Sequence, residues 1–292
     1  MQFTRLLGCD FSSSPNRRKP IVVARGRLCI DEQFIQLQQL IEFDSLDTWQ
    51  QWLASAEHGP WVGGFDLPFG LPRELLQALG WPMEWAACMD FYAGLSRAQI
   101  REQFKSFCDA RPAGSKFAHR ATDLPAGSSP SMKWVNPPVA YMLHAGLPRL
   151  RAADVYLPGL EPLKPQAQRV ALEAYPGLLA RTVLGRRSYK SDDASKQTTA
   201  RAEARALLLQ ALEQGDAGGL GLSLQLDEVQ RSLLLADGKG DALDAVLCLM
   251  QAGWAACRHH AGDSLYGLPP DMDALEGWIV TAGMPSPGVA KS

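Results

Sequence analysis

The sequence predicts an α/β fold, a mixed sheet flanked by helices, and three observations carry that expectation. Short apolar runs with strand-like patterning fill the first 66 residues, helical periodicity replaces them from 71 to 165, and strand and helix patterns alternate again to residue 258. Alternation of this kind builds a sheet with helices packed on it. The expectation is a five-stranded mixed sheet in a single domain over residues 1–280. A large helical insertion, 71–165, lies between strands four and five, and a disordered tail covers 283–292.

Leu6-Leu7-Gly8-Cys9-Asp10 reads as a buried strand over 5–10 that breaks at 12–15. Runs at 21–30 and 34–43 give two more strands, and the short loops between the three favour an antiparallel meander. Ser45 is an N-cap for a helix through about Glu57, with Leu46, Trp49, Leu53 and Ala56 on one face, stopped by His58-Gly59-Pro60. Trp61-Val62-Gly63-Gly64-Phe65-Asp66 follows at once, so that helix is a crossover and the new strand lies parallel to its neighbour.

The insertion shows helical pieces near 72–79, 82–94, 96–109 and 138–145, separated by Pro/Gly/Ser-rich loops. A fifth strand at 169–175 leads through Pro176, at a first helical position, into a helix ending near Gly185. Helices are expected at 198–214 and 227–236, with a glycine-rich loop between them. A last helix at 241–258 is apolar nearly all round and hence buried.

Composition bounds the function. A net charge of −2 and a pI near 6.2 exclude a general polyanion binder, so any nucleic-acid contact needs a local basic surface. Residues 95–151 supply one, with nine Lys/Arg against three acids and Phe104, Phe107, Phe117 and Trp134 interleaved among the bases. Aromatics at helical spacing are equally the mark of a core. Six scattered cysteines with no Cys-x-x-Cys pair argue against a disulfide framework and for a reducing compartment. With no signal peptide and no membrane-length apolar run, a cytoplasmic location is expected.

The residues with chemistry are acids. Asp10 and Asp66 end core strands, where a carboxylate is costly to desolvate without a partner. Asp241 and Asp244 are three apart and share a helix face, and Glu173 sits in the fifth strand. Carboxylates are hard oxygen ligands for Mg²⁺ or Mn²⁺, and two such metals about 4 Å apart drive phosphodiester hydrolysis. Each acid also has a plainer role. Asp10 and Asp66 can start loops, Asp241 can cap its helix with Asp244 favourable beside the dipole, and Glu173 can be an edge residue. Ser12 and Ser13, after the first strand, offer phosphate contacts or simply a polar turn. No dinucleotide fingerprint, Walker loop or His-Glu-x-x-His is present, and the five histidines lack metal-ligand spacing.

The order of elements resembles the ribonuclease H-like fold. Gly8-Cys9-Asp10, Gly64-Phe65-Asp66-Leu67-Pro68-Phe69-Gly70, Glu173-Ala174-Tyr175-Pro176, Asp241-Ala242-Leu243-Asp244-Ala245 and Glu276-Gly277-Trp278-Ile279 are similar to the marks of domain-of-unknown-function family 429, described as RNase H-like nucleases. The resemblance implies Asp10 as the first-strand acid bridging both metals, Asp66 as the fourth-strand acid and Asp241 or Asp244 as the final-helix acid. Glu173 matches a family motif. The acid pair on the last helix looks more like the Holliday-junction resolvase branch than ribonuclease H. The crossover helix has only Glu57 at its end, so no catalytic glutamate is carried over there.

Two functions follow. The first is a metal-dependent nuclease using Asp10, Asp66, Asp241, Asp244 and Glu173, with Lys116 or Arg120 steadying the leaving group and residues 95–151 holding the nucleic-acid backbone. The second is a non-nuclease user of the scaffold that acts on or binds a small nucleotide or phosphoester, or a catalytically silent binding module, with the insertion as a lid.

Overall fold

The computed structural model describes residues 3–284, so most of the expected tail lies outside the described residues. The first three strands, β1 (Phe3–Asp10), β2 (Ile21–Cys29) and β3 (Phe34–Phe43), form the antiparallel meander. Helix α1 (Leu46–Ala54) crosses over to β4 (Trp61–Asp66), which pairs with β1 in parallel. The insertion supplies α2 (Arg73–Leu79), α3 (Trp85–Ala93), α4 (Arg97–Asp109), α5 (Asp123–Ala126) and α6 (Val139–Ala152). Then come β5 (Arg169–Glu173), parallel to β4, α7 (Pro176–Leu184), α8 (Thr199–Gln214), β6 (Ser223–Gln225), α9 (Glu228–Ala236) and α10 (Asp241–His260).

The sheet has six strands, in the order β5-β4-β1-β2-β3-β6, and not the expected five. The addition is β6, which joins the outer edge of β3 in parallel, Leu224 opposite Ile35. Three residues after a glycine-rich loop carry no readable alternation. Packing of Leu224 into the core, at 2% exposure, holds that strand in place. Helix α1 stops at Ala54, earlier than expected, because Ser55 turns extended and caps a separate short turn over Ala56–His58. Helix α6 runs on past 145, with Pro148 inside it, to Ala152.

The sheet separates two cores. Leu6 and Val62 face α7, α8 and α10, whereas Leu7, Cys9, Trp61 and Phe65 face α1 and the insertion. The insertion is therefore continuous with the sheet's second core. Trp85 Nε1 donates to Phe69 O at 2.8 Å, fastening α3 to the turn after β4. The interleaved aromatics belong to that core: Phe104 and Phe107 are buried, and Phe117 packs against Trp134 with ring centroids 5.4 Å apart. All six cysteines are free, and no helix among the described residues is long and apolar enough to cross a membrane.

Strand periodicity puts Gly8 and Asp10 of β1, and Gly64 and Asp66 of β4, on the α10 side of the sheet. The glycines let the helix backbone touch the strands. A Cβ on Gly8 would lie 2.0 Å from the Ala245 carbonyl oxygen, and one on Gly64 2.5 Å from that of Cys248. Gly8→Ala is therefore expected to lose about 3 kcal/mol or more in denaturant unfolding, at or beyond the top of the usual overpacking range, because a helix backbone must move. Gly94→Ala, where the nearest neighbour would be 3.4 Å away, should change stability by less than about 0.5 kcal/mol.

Candidate active site

Parallel pairing sets Asp10 directly beside Asp66 at the carboxyl ends of β1 and β4. Helix α10 begins over that edge. Its N-cap is Gly240, in the left-handed region at φ 82°, and the orphan amides of the first turn are taken by Asp237. That carboxylate accepts from Gly240 N at 2.9 Å and from Ala242 N at 2.8 Å. Capping by Asp237 leaves both Asp241 and Asp244 free to face the strand ends. Asp241 is bonded by Lys19 Nζ at 2.9 Å, and Lys19 also reaches the exposed Asp192 at 3.1 Å. Asp244, 1% exposed, accepts from the Tyr189 hydroxyl and from Lys190 Nζ.

Asp10 and Asp66 have no such help: among the described residues neither side chain has a hydrogen-bond or ion-pair partner. Burial, then repulsion from Asp244 and Asp66, pushes the Asp10 carboxyl well above its ordinary range. Burial and the Asp244 charge raise Asp66 to about 7, against the opposing pull of Lys190. Asp244 is also raised, by burial, with Lys190 and Tyr189 pulling it down. Asp244, Asp10 and Asp66 together outweigh burial and raise the Lys190 ammonium. Four carboxylates face two ammonium groups, so the ionised cluster keeps an excess of negative charge.

The chemistry of this donor set, hard carboxylate oxygens from three elements, suits Mg²⁺ or Mn²⁺. Its present spacing does not close into a coordination shell: among the described residues no three His, Cys, Asp or Glu side chains are grouped to hold a metal ion. Two of the four acids are instead engaged by lysines.

Glu173 stands apart from the four aspartates. It is opposite Phe65 in the ladder and so points to the insertion side of the sheet. There it receives Arg120 Nη2 at 2.6 Å, Arg120 Nη1 at 2.8 Å and the Phe69 amide at 2.9 Å. Arg120 is 2% exposed and also bonds Asp123 and the Glu276 carbonyl, which occupies every guanidinium donor. Burial raises Glu173 and the Arg120 charge opposes the rise. The arginine is thus a buried strut. Lys116 is exposed on its loop, and Ser12 and Ser13 lie half-buried after β1, with Arg97 Nη2 bonding the Ser13 carbonyl at 2.7 Å. Of the nine bases in 95–151, Lys105, Arg111, Arg120, Arg149 and Arg151 are ion-paired.

Sequence reasoning missed Lys19, Tyr189 and Lys190. The last two lie in an aperiodic segment after α7, where Arg186-Arg187-Ser188-Tyr189-Lys190 was the available signal: a basic cluster in a chain whose other unexplained residues are acids. Beside Asp66 and Lys190 a cavity of about 230 Å³ opens between the strand ends and the insertion.

Residues 8–273 match the family described as protein of unknown function (DUF429). The chain belongs to that family. Comparison with curated proteins and with solved structures returns no match.

Two predictions follow from the charges. Asp66 binds a proton in the folded state up to about pH 7 but only to about pH 4 when unfolded, so its contribution to stability falls as pH rises between those values. Asp66→Asn should therefore stabilise the metal-free protein by about 1–2 kcal/mol near pH 8 and by almost nothing below about pH 4, read from urea midpoints, after allowance for partial solvent screening. Arg120→Met leaves Glu173 and Asp123 buried without their cation and should cost about 3–5 kcal/mol near neutral pH, less in acid, while Lys116→Ala stays within about 0.5 kcal/mol.

Proposed function

We propose that this chain is a divalent-metal-dependent hydrolase of phosphodiester bonds in nucleic acid, with a ribonuclease H-like catalytic pole. The observation that carries the reading is the meeting of Asp10, Asp66, Asp241 and Asp244 at one end of the sheet, where buried Asp10 and half-buried Asp66 have no partner among the described residues. Lys19 and Lys190 offset part of that repulsion, and a bound cation would offset the rest. The arrangement of three antiparallel strands, a crossover helix and parallel fourth and fifth strands supports the same reading.

Asp10 and Asp66, with Asp241 or Asp244, would hold Mg²⁺ or Mn²⁺, which supplies an activated water and charge neutralisation at the leaving oxygen. The remaining roles fall to the chain's own groups. Lys190 has a side chain 40% exposed on a flexible stem, so its ammonium can turn from Asp244 to a phosphate oxygen while Tyr189 keeps Asp244 in place. Glu173, through the Phe69 amide, fixes the turn that follows Asp66 and acts as a positioning residue.

A second reading, a small nucleotide or phosphoester as substrate, is favoured by one observation. Phe104 and Phe107, in the stretch 95–151, lie in the core, and five of that stretch's nine bases are already paired, which leaves little of an extended nucleic-acid platform.

Incubation with Mn²⁺ and labelled single-stranded, duplex, hybrid and branched substrates tests the first reading. Wild type should cleave at least one, and Asp10→Asn should be slower by about 100-fold or more. Wild type inert on all four, or a variant as active as wild type, would overturn it. Lys190→Met should lower the rate at least about tenfold while Mn²⁺ binding by calorimetry is retained.

A further inference from the structure

The cavity beside the acid pole has a chemistry of its own. Its lining joins charged Asp66 and Lys190 to apolar Pro137, Val139 and Met142 of the insertion and Ile279. Arg120 and Glu173 also line it, but their polar atoms are committed to each other, to Asp123 and to backbone. Lys190 is therefore the lining cation able to meet a ligand. Ser129 and Tyr175 line the same space, and neither side-chain hydroxyl has a hydrogen-bond partner among the described residues.

Size narrows the occupant. At about 230 Å³ the space is below the roughly 300 Å³ at which pockets for drug-sized ligands begin, so it takes part of a nucleotide, such as its base, and not a base pair flanked by its neighbours. A planar apolar body suits the Met142 and Tyr175 side chains, which pack well against ring faces. Two free hydroxyls that both donate and accept suit the polar edge of such a ring. A phosphate on that body would lie toward Lys190.

We propose that this cavity seats the base of a single unpaired nucleotide against its apolar residues, with the phosphate toward Lys190. The substrate is then a free nucleotide or an unpaired nucleotide of a strand, and not an intact duplex. The direction of the phosphate rests on the hydrolytic reading above; the base pocket does not.

Calorimetric titration of the full chain with adenosine 5′-monophosphate, a single-stranded oligonucleotide and a blunt duplex tests this, each with and without Mn²⁺. The mononucleotide should bind, and the duplex should bind at least about tenfold more weakly than the single strand. Met142→Trp, on a partly exposed helix face, and Ser129→Trp, in a loop, fill the cavity from different sides. Each should weaken mononucleotide binding at least about tenfold with Mn²⁺ binding and melting temperature unchanged. If one variant fails to fold, the other decides. Binding of the strand as well as the mononucleotide identifies a strand nucleotide as the source; binding of the mononucleotide alone identifies the free ligand. No binding of the mononucleotide, or binding unaffected by the filling substitutions, overturns the proposal. Binding that the substitutions abolish, in a protein inert toward every phosphodiester, keeps the pocket and removes the hydrolytic reading.

Discussion

Helix α10 lies so close to β1 and β4 that its backbone occupies the space where side chains of Gly8 and Gly64 would be. Everything at the candidate site depends on that approach. Two residues after each glycine, on the same side of the strand, stands an aspartate, and the first turn of the helix carries two more. A larger residue at either position would lift the helix by the thickness of a methyl group and draw Asp244 away from Asp10 and Asp66. The Gly-x-Asp spacing at both strand ends is thus one device: the glycine admits the helix and the aspartate meets it.

That closeness has an electrostatic consequence. Four carboxylates in a poorly solvated corner repel one another, and the fold answers with Lys19 on Asp241 and Lys190 on Asp244. Asp10 and Asp66 remain without a partner, and burial with the repulsion of Asp244 raises both above the ordinary carboxylate range. The cluster is therefore held under mutual repulsion, a feature shared by sites built for function more than for stability. On the other side of the sheet the opposite solution is used. Glu173, Arg120 and Asp123 form a buried, fully hydrogen-bonded network that ties β5 to the insertion and to the Glu276 backbone, and it leaves no donor of Arg120 unoccupied.

Much of this was legible in the residues. The meander, the crossover helix and the parallel fourth strand follow from short loops, an N-cap at Ser45 and a strand directly after His58-Gly59-Pro60. Asp10 and Asp66 stood out because a charged residue closing an apolar strand needs a reason. Other features were hidden for physical reasons. Strand β6 is three residues long and exists because tertiary packing buries Leu224 beside β3. Lys190 belongs to no periodic element, so nothing local indicated where its ammonium goes. Glu173 carried the same motif-level weight as the aspartates, yet pleating turned it to the opposite side of the sheet, since it is opposite Phe65 and not Gly64.

By itself the sequence determined the mixed α/β class, the strand-end position of Asp10 and Asp66, and the placement of Asp241 and Asp244 on one face of a buried helix, because hydrophobic periodicity and local turn chemistry are written residue by residue. Tertiary structure alone decided which acids share a corner, which base becomes a strut and which stays available, and that the interleaved aromatics Phe104 and Phe107 are core. Those outcomes depend on the register between strands and on the distance between a helix and a sheet, quantities that no single segment carries.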